Sequence, residues 1–505
     1  MIKWFDDQLN RITMYRLVLY YLIGLLVIAL LFSFAGVLAY DPYALLFSTA
    51  FILAASAITN WAFSRVYGVP VNVESTTISA LILALIITPI HSYNDLWFLL
   101  WASVLAMASK YILAVRGKHL FNPVAIAVAL TYFAANQSAS WWIGDARLLP
   151  FVLVGGLLIA RKLRRFDLVL SFFVTAFAVV LLASLVSGTD PFAAIQKLVL
   201  YSPLAFFAFT MLTEPLTTPP TRKLRLYYGA LTAFLFTPVL HLGTFYTTPE
   251  LALLIGNVFS YIVSPKAKLI LRLKARKQLS PDTYEFVFTP PRQFAFAPGQ
   301  YMEWTLGHAD PDSRGNRRFF TLASAPTERD LKLGVKFNPH SSSFKQAMLA
   351  LDNQQDIVAT QLAGDFVLPD DPRQKIALIA GGIGVTPFRS MIKYLLDTHQ
   401  RRPIILFYVN HNAEDILYKD VFDRAERELG IKTLYTVTDG SSIPTGWPVK
   451  VGRITAEGLR RTLPGYHSFH FYISGSPEMV DSFKALLRQI GVKPSHIKTD
   501  FFSGL

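Results

Sequence analysis

The 505-residue chain contains no cysteine. That absence excludes disulfides and every cysteine-ligated iron–sulfur cluster, so an electron carrier here is organic or is held by histidine. Charged residues are scarce too, at 16% against 52% hydrophobic, and nearly all the long apolar runs precede about Pro265. The first half therefore reads as a membrane domain and the second as a soluble one. Histidine is thin in the apolar half, where His91, His119 and His241 each stand near the end of a segment and no two share a helix. The paired histidines that hold stacked haems are missing. No small-residue cleavage site closes the first apolar run, which is longer than a signal peptide's core, so the N-terminus is expected to stay attached.

What the chain does hold is basic charge, a net +14. The Lys and Arg residues before Lys277 gather in short loops between apolar segments, which marks membrane topology and not a nucleic-acid surface. About ten apolar segments lie between residues 16 and 263. Several fall short of the roughly 20 residues of a full span, so half-helices buried in protein are expected among them. Threaded alternately from a cytoplasmic N-terminus, they leave only Arg147 and Lys197 outside and put Arg65, Arg116, Arg161, Arg165, Arg222 and Arg225 within. This bias predicts an even number of spans in a multi-pass cell-membrane protein, with the N-terminus and the soluble half cytoplasmic.

The apolar half also echoes itself. LALIITPI followed by FNPVAIAVAL returns as FTMLTEPL followed by TTPELALLIGN, with the same gap from Pro89 to Pro123 as from Pro215 to Pro249. Five spans separate the copies, which predicts an inverted repeat with a site where proline or polar residues break the helices. Prolines that merely punctuate helices would leave similar marks. Glu74, Thr76, Thr77, Lys110, Asn122, Glu214 and Asn257 lie within apolar segments and are candidates for a quinone or ion path. Glu74 and Glu214 read equally well as helix-end residues.

VESTTISALILALIITP, KHLFNPVAIAVAL and FTMLTEPLTTPPTR resemble a family of membrane proteins found in the Rnf electron-transport complex and in the Na+-translocating NADH:quinone reductase. The resemblance spans residues 17–265. It implies a flavin esterified to the threonine of an SGAT motif a little before the segment that here reads MLTEP. The equivalent positions are Tyr201, Ser202, Pro203 and Leu204. Leucine offers no hydroxyl, so a covalent flavin is not expected; a noncovalent FMN or riboflavin, or a direct quinone site, stays open. The resemblance also implies further electron-transport subunits as partners.

Beyond the junction the pattern changes to alternating stretches such as TYEFVFTP, QYMEWTL and LKLGVKF, bounded by Pro, Gly and Asp, which predict strands of a small β-barrel. FAPGQYMEWTL followed by RRFFTLASAP resembles the flavin domain of the ferredoxin-NADP+ reductase superfamily, whose signature is Arg-x-Tyr-Ser or Arg-x-Tyr-Thr. The resemblance implies that Arg318 meets the FAD pyrophosphate, that Phe320 replaces the usual tyrosine against the flavin ring with Phe319 beside it, and that Thr321 bonds near its reactive edge. Val335 and Lys336 open the next element, where Ser341, Ser342 and Ser343 at a helix start would present backbone N–H groups to phosphate. Serine runs are also ordinary helix caps.

KIALIAGGIGVTPFRSMIKYLL reads as a buried strand, a glycine-rich turn and an amphipathic helix. Gly381, Gly382 and Gly384 would admit the nicotinamide cofactor, with Thr386 and Pro387 at the helix start. PIILFYVNH, KTLYTVTD and SFHFYISGS supply further strands of a parallel sheet. The superfamily's Cys-Gly-Pro is represented by Ser474, Gly475, Ser476 and Pro477, with Ser474 where the cysteine would face the nicotinamide. Asp439 would repel a 2'-phosphate, favouring NADH over NADPH. Phe501 or Phe502 would cover the flavin face or simply finish a core.

The expected architecture is a polytopic α-helical membrane domain (1–265), an antiparallel β-barrel FAD domain (266–372) and an α/β parallel-sheet NAD(P) domain (373–505). The expected function is an FAD-dependent NAD(P)H oxidoreductase in the lipid membrane that passes electrons to a quinone or second flavin, with ion translocation as an open coupling. It has no metal site and no nucleic-acid partner. The alternatives are a haem-bearing transmembrane reductase of the ferric reductase type and a non-redox anchor or transport-like domain carrying a flavoreductase.

Overall fold

The computed structural model describes Leu9 and residues 12–500, apart from 69–72, 116–117, 240, 243–244, 265–267, 292, 294, 310–311, 313–314, 340 and 442. It divides into two compact units, Met1–Lys266 and Ala267–Leu505.

The first unit is helical: α1 (Met14–Phe34), α2 (Pro42–Tyr67), α3 (Val73–Ile86), α4 (Asp95–Ile112), α5 (Pro123–Ala135), α6 (Leu149–Leu163), α7 (Phe166–Ser187), α8 (Pro191–Leu200), α9 (Leu204–Phe206), α10 (Arg222–Phe236) and α11 (Pro249–Val263). A π-helical turn, Phe207–Met211, continues α9. Among the described residues α1, α2, α4 and α7 are long and apolar enough to cross a membrane. The pair formed by α8 with α9 and its π turn, bent by 62°, passes the same test only together, as a broken span or a re-entrant loop. By length and composition the described helices therefore include four full-length spans, or five if that pair is one. Helices α3, α5 and α11 are shorter because proline and polar residues cut them off: α3 stops at Ile86, just before Thr88 and Pro89. On α1 the exposed Tyr20, Ile23, Val27 and Leu31 recur at helical spacing, forming an apolar stripe suited to lipid.

The sequence echo has a structural counterpart. In the first copy α4 leads through a two-residue hairpin, β1 (Ala114–Val115) with β2 (Lys118–His119), into α5, which begins at Pro123. In the second, α10 leads through β3 (His241–Leu242) with β4 (Phe245–Tyr246) into α11, which begins at Pro249. Proline at the first helical position costs no hydrogen bond, and a side-chain oxygen at the preceding cap satisfies the next amides. Asn122 does this for Val124 and Ala125, and Thr248 for Leu251.

The second unit carries two six-stranded sheets. One is antiparallel, ordered β8-β7-β10-β5-β6-β9, from β5 (Leu269–Ser280), β6 (Thr283–Phe288), β7 (Tyr301–Thr305), β8 (Arg317–Thr321), β9 (Leu331–Lys336) and β10 (Asp356–Ala363). Its core includes Phe286, Phe288, Met302 and Trp304, with Phe344 from α12 (Ser343–Ala350). The other sheet is parallel, ordered β14-β13-β12-β11-β15-β16, from β11 (Ile376–Gly381), β12 (Ile404–Asn410), β13 (Lys432–Val437), β14 (Val449–Val451), β15 (His470–Ser474) and β16 (Ile497–Asp500). Strand β11 is buried along nearly its whole length, as its unbroken apolar run requires when helices cover both faces. Helices α13 (Thr386–Asp397), α14 (Lys419–Leu429), α15 (Ala456–Thr462) and α16 (Pro477–Gln489) belong to this lobe.

Candidate functional site

Strand β8 presents the RFFT motif by simple alternation. Phe320 and Arg318 fall on one side: the Phe320 ring lies 6.0 Å from that of Phe344, and the Arg318 guanidinium sits 5.4 Å over the same ring. Phe319 points the other way, edge-on to Tyr301 at 5.6 Å. Thr321 is buried, and its hydroxyl has no hydrogen-bond partner within the protein. A buried hydroxyl without a partner costs about 1–3 kcal/mol, so a ligand that bonds it fits this position. An FAD site is compatible with these residues.

Arg318 donates to the Gly315 and Arg317 carbonyls and pairs with Asp312 at 3.5 Å. The Asp312 carboxylate also accepts the Ser343 N–H at 3.0 Å, while the Ser343 hydroxyl accepts the Asp312 N–H and bonds the His308 ring. Arg318 and Ser343 thus converge on one carboxylate, Asp312, which the motif reading missed. Nothing in the sequence around Asp312 marks it, because its role arises from a loop meeting a helix start. Ser341 and Ser342 turn inward, accepting the Asn338 and Lys345 N–H groups. Val335 is a core residue opposite Tyr284. Lys336 pairs with Asp282 at 3.0 Å.

At the carboxyl end of the parallel sheet the glycine-rich turn meets the SGSP segment. A Cβ on Gly384 would stand 2.5 Å from the Ser474 carbonyl oxygen, and one on Gly381 would stand 1.9 Å from Met479 Sδ. Gly382 has φ of +52° and open space around it, a conformation that favours glycine. Gly475 packs against Gly381, and Ser476 caps α16 ahead of Pro477 by accepting the Met479 N–H. The Thr386 hydroxyl donates to the Ile383 carbonyl at 3.2 Å, and Pro387 brings no amide hydrogen. Ser474 is buried and pairs in register with Asp500. Phe501 and Phe502 lie outside the described residues.

The Asp439 side chain is half-buried and accepts the Ser441 N–H at 2.9 Å, which holds its carboxyl below the usual carboxylate range. Glu328, in the turn after β8, bonds Arg389, Lys332 and the Ala325 N–H. Burial pushes its carboxyl up, but these partners outweigh burial and hold it down to about 2.

In the helical unit, Asn122, Glu214 and Asn257 come together. Asn122 Nδ2 donates to Glu214 Oε2 at 2.9 Å, and the Asn122 backbone N–H donates to Asn257 Oδ1 at 2.8 Å. Asn257 Nδ2 in turn donates to the Tyr228 hydroxyl at 3.2 Å, and Thr217 donates to Glu214 at 3.0 Å. Glu74 pairs instead with Arg16, Lys110 donates to Ser75, and Thr77 donates to the Val73 carbonyl. Leu204 is 2% exposed within the helical core. The side chains of His119 and His241 are outside the described residues. No group of three or more metal-ligating side chains occurs among the residues described.

Comparison with known proteins adds two family matches: the NQR2, RnfD, RnfE family over residues 142–267, and the oxidoreductase NAD-binding domain over 378–485. The chain is 26% identical over 216 residues to a flavohemoprotein of Bacillus cereus, covering 41% of this chain and 53% of that protein. It is 31% identical over 253 residues to NADH-cytochrome b5 reductase 1 of Ajellomyces capsulatus, covering 47% of this chain and 80% of the relative. An NAD(P)H-flavin reductase of Vibrio harveyi is 23% identical over 227 residues, covering 43% and 91%. The chain spans about half the length of the flavohemoproteins it matches.

Proposed function

Because the chain belongs, through its C-terminal half, to the ferredoxin-NADP+ reductase superfamily and matches the NQR2, RnfD, RnfE membrane family ahead of it, we propose that it is a membrane-bound flavoprotein that oxidises NAD(P)H. The observation that carries this reading is the meeting of the Gly381–Gly384 turn with Ser474 and Gly475, in the same unit as the RFFT strand. When bound, FAD supplies two-electron acceptance from a nicotinamide and single-electron release to the next carrier.

The chain's own residues position and select. Arg318 and the Ser343 amide offer donors to a pyrophosphate, Phe320 and Phe344 offer an apolar wall, and Thr321 offers a buried hydroxyl to the flavin's reactive edge. Ser474 packs at the nicotinamide end and supplies no thiol, which hydride transfer does not require. Asp439 favours NADH by repelling a 2'-phosphate. In the helical unit the Asn122, Glu214 and Asn257 cluster supports a polar site for a quinone or a coupled ion, since intramembrane ionisable groups mark such paths. A noncovalent flavin there would not need the hydroxyl that Leu204 lacks. The same reading puts the reductase half in the cytoplasm and admits further electron-transport subunits.

The test is cofactor analysis of the purified full-length protein in detergent. Acid-releasable FAD and oxidation of NADH at 340 nm are expected. Soret bands would instead support the haem-bearing reductase, and a protein with neither flavin nor NADH oxidation would sink the enzyme reading.

A further inference from the structure

Helix α13 belongs to the nucleotide lobe, yet two of its side chains hold the backbone that follows the RFFT strand. Arg389 Nη1 donates to the Ala323 carbonyl at 3.0 Å, and Ser390 Oγ donates to the Ser324 carbonyl at 2.7 Å. The same guanidinium grips the Glu328 carboxylate through both terminal nitrogens, and Glu328 closes this turn by accepting the Ala325 N–H at 2.7 Å. One planar group therefore clamps both ends of the turn 323–328. Arginine suits the task because its fork of donors is rigid where a lysine ammonium is a single point.

The opposing contact is made through a missing side chain. A Cβ on Gly334, in β9, would stand 2.9 Å from Thr386 Cγ2, 3.0 Å from the Tyr418 hydroxyl oxygen and 3.1 Å from Ile383 Cδ1. The glycine-rich turn thus rests directly on the backbone of the antiparallel sheet. Tyr418 lies 5.6 Å beneath the Arg389 guanidinium and holds φ of +56°, a conformation that strains a bulky residue. Its hydroxyl is buried, with the Glu285 side chain as its polar neighbour. Strain at a contact between two lobes indicates that placement has been favoured over stability.

We propose that Arg389, with Gly334 as the opposing stop, is a positioning residue that sets the separation between the glycine-rich turn 381–386 and the flavin-motif strand 317–321. The proposal rests on the reductase reading above. In that reaction a hydride, carrying two electrons, leaves the nicotinamide, which is oxidised, and reaches the flavin, which is reduced. Misplacement of reacting groups by 1 Å costs about a hundredfold in rate, so a bidentate clamp working against a backbone stop acts as a distance gauge.

Arg389→Lys and Gly334→Ala in the full-length protein test it. In flavin-free protein, hydrogen exchange of the amides in 321–325 and 382–390 is expected to rise together in Arg389→Lys. In FAD-loaded protein, anaerobic flavin reduction by NADH is expected to slow by about tenfold to a hundredfold. FAD content should be retained and KM for NADH should stay within about twofold, while the isotope effect with C4-deuterated NADH grows. Gly334→Ala should slow reduction with every charge intact, and adding Tyr418→Phe, which removes one atom the new Cβ meets, should restore part of the rate. Wild-type reduction rates and isotope effects in both variants, with only the melting temperature lowered, would overturn the proposal and leave Arg389 a docking residue. If Arg389→Lys does not fold, Gly334→Ala and its Tyr418→Phe partner decide alone. A wild-type protein without FAD or NADH oxidation fails the reductase reading instead, and the exchange result still judges the clamp.

Discussion

The two units bury polar groups in opposite ways. In the helical unit the hydrogen bonds around Asn122 run between amides, hydroxyls and the carboxylate of Glu214, which Lys110 faces electrostatically. The ion pair Asp167 with Arg225 stands at helix starts. In the reductase unit the cluster around Arg389 is built from full charges, with Glu328 and Lys332 compensating one another. Surroundings explain the contrast. Inside an apolar helical bundle there is no water to fall back on, so neutral partners are the cheaper way to satisfy a buried polar atom. The turn between the two soluble lobes is buried as well, and there a bidentate ion pair with further hydrogen bonds offsets the cost of taking the charges out of water.

The comparison can be broken from either side. Gly384→Val forces a side chain against the Ser474 carbonyl and is expected to lower NADH oxidation by more than about a hundredfold. Thermal unfolding of the helical unit, followed by its own calorimetric transition, should not move; a shift there would mean that the units are coupled. Asn122→Ala does the reverse. It leaves Glu214 and two helix amides short of partners, at a cost of about 1–3 kcal/mol for each group stranded, and should lower the helical transition while NADH oxidation with a soluble artificial acceptor stays at wild-type rate. Equal loss in both assays would contradict the division of labour.

A smaller effect sharpens the charged side. Because the folded Glu328 carboxyl is held down to about 2, below its ordinary value of 4.5, its contribution to stability is fully present above about pH 5 and is lost as pH falls from there toward 2. Glu328→Gln should flatten that acid limb in an unfolding series. The smallest expected change is in selectivity: Asp439→Ser should raise the NADPH-to-NADH ratio of kcat/KM severalfold. Since the Asp439 carboxyl is held below the usual range, it stays charged throughout, and the wild-type ratio should fall only where the NADPH 2'-phosphate loses its second proton, at about pH 6, and be flat above that.

Local patterns were legible and long-range ones were not. The unbroken apolar run IALIAG predicts a strand buried on both faces, and β11 is one. The alternation in LKLGVK likewise reappears as alternating burial in β9. The equal proline gaps reappear as matching hairpins and proline-led helices. The short apolar run before Pro89 reappears as a short helix, α3, which ends just ahead of Thr88 and Pro89. Arg389 read as an ordinary position on an amphipathic helix, because Glu328 is 61 residues away and no periodicity connects them. Asp312 was invisible for the same reason, and Ser341 and Ser342 read as phosphate donors because caps and anion sites share one residue preference.

A helix cap is ordinarily among the most replaceable positions in a protein. Asp41, which caps α2 in an exposed setting by accepting the Ala44 N–H, should accept Ser, Thr or Asn with little penalty. Asn122 has no such latitude. Its side-chain oxygen serves two amides, its side-chain nitrogen serves a carboxylate, and its backbone N–H serves Asn257. Asp would set a second negative charge beside Glu214, Ser and Thr cannot accept and donate over the same span, and Gln misplaces both ends. In a saturation library, position 122 should therefore behave like a packed core residue, intolerant of nearly every substitution although it stands at the end of a helix.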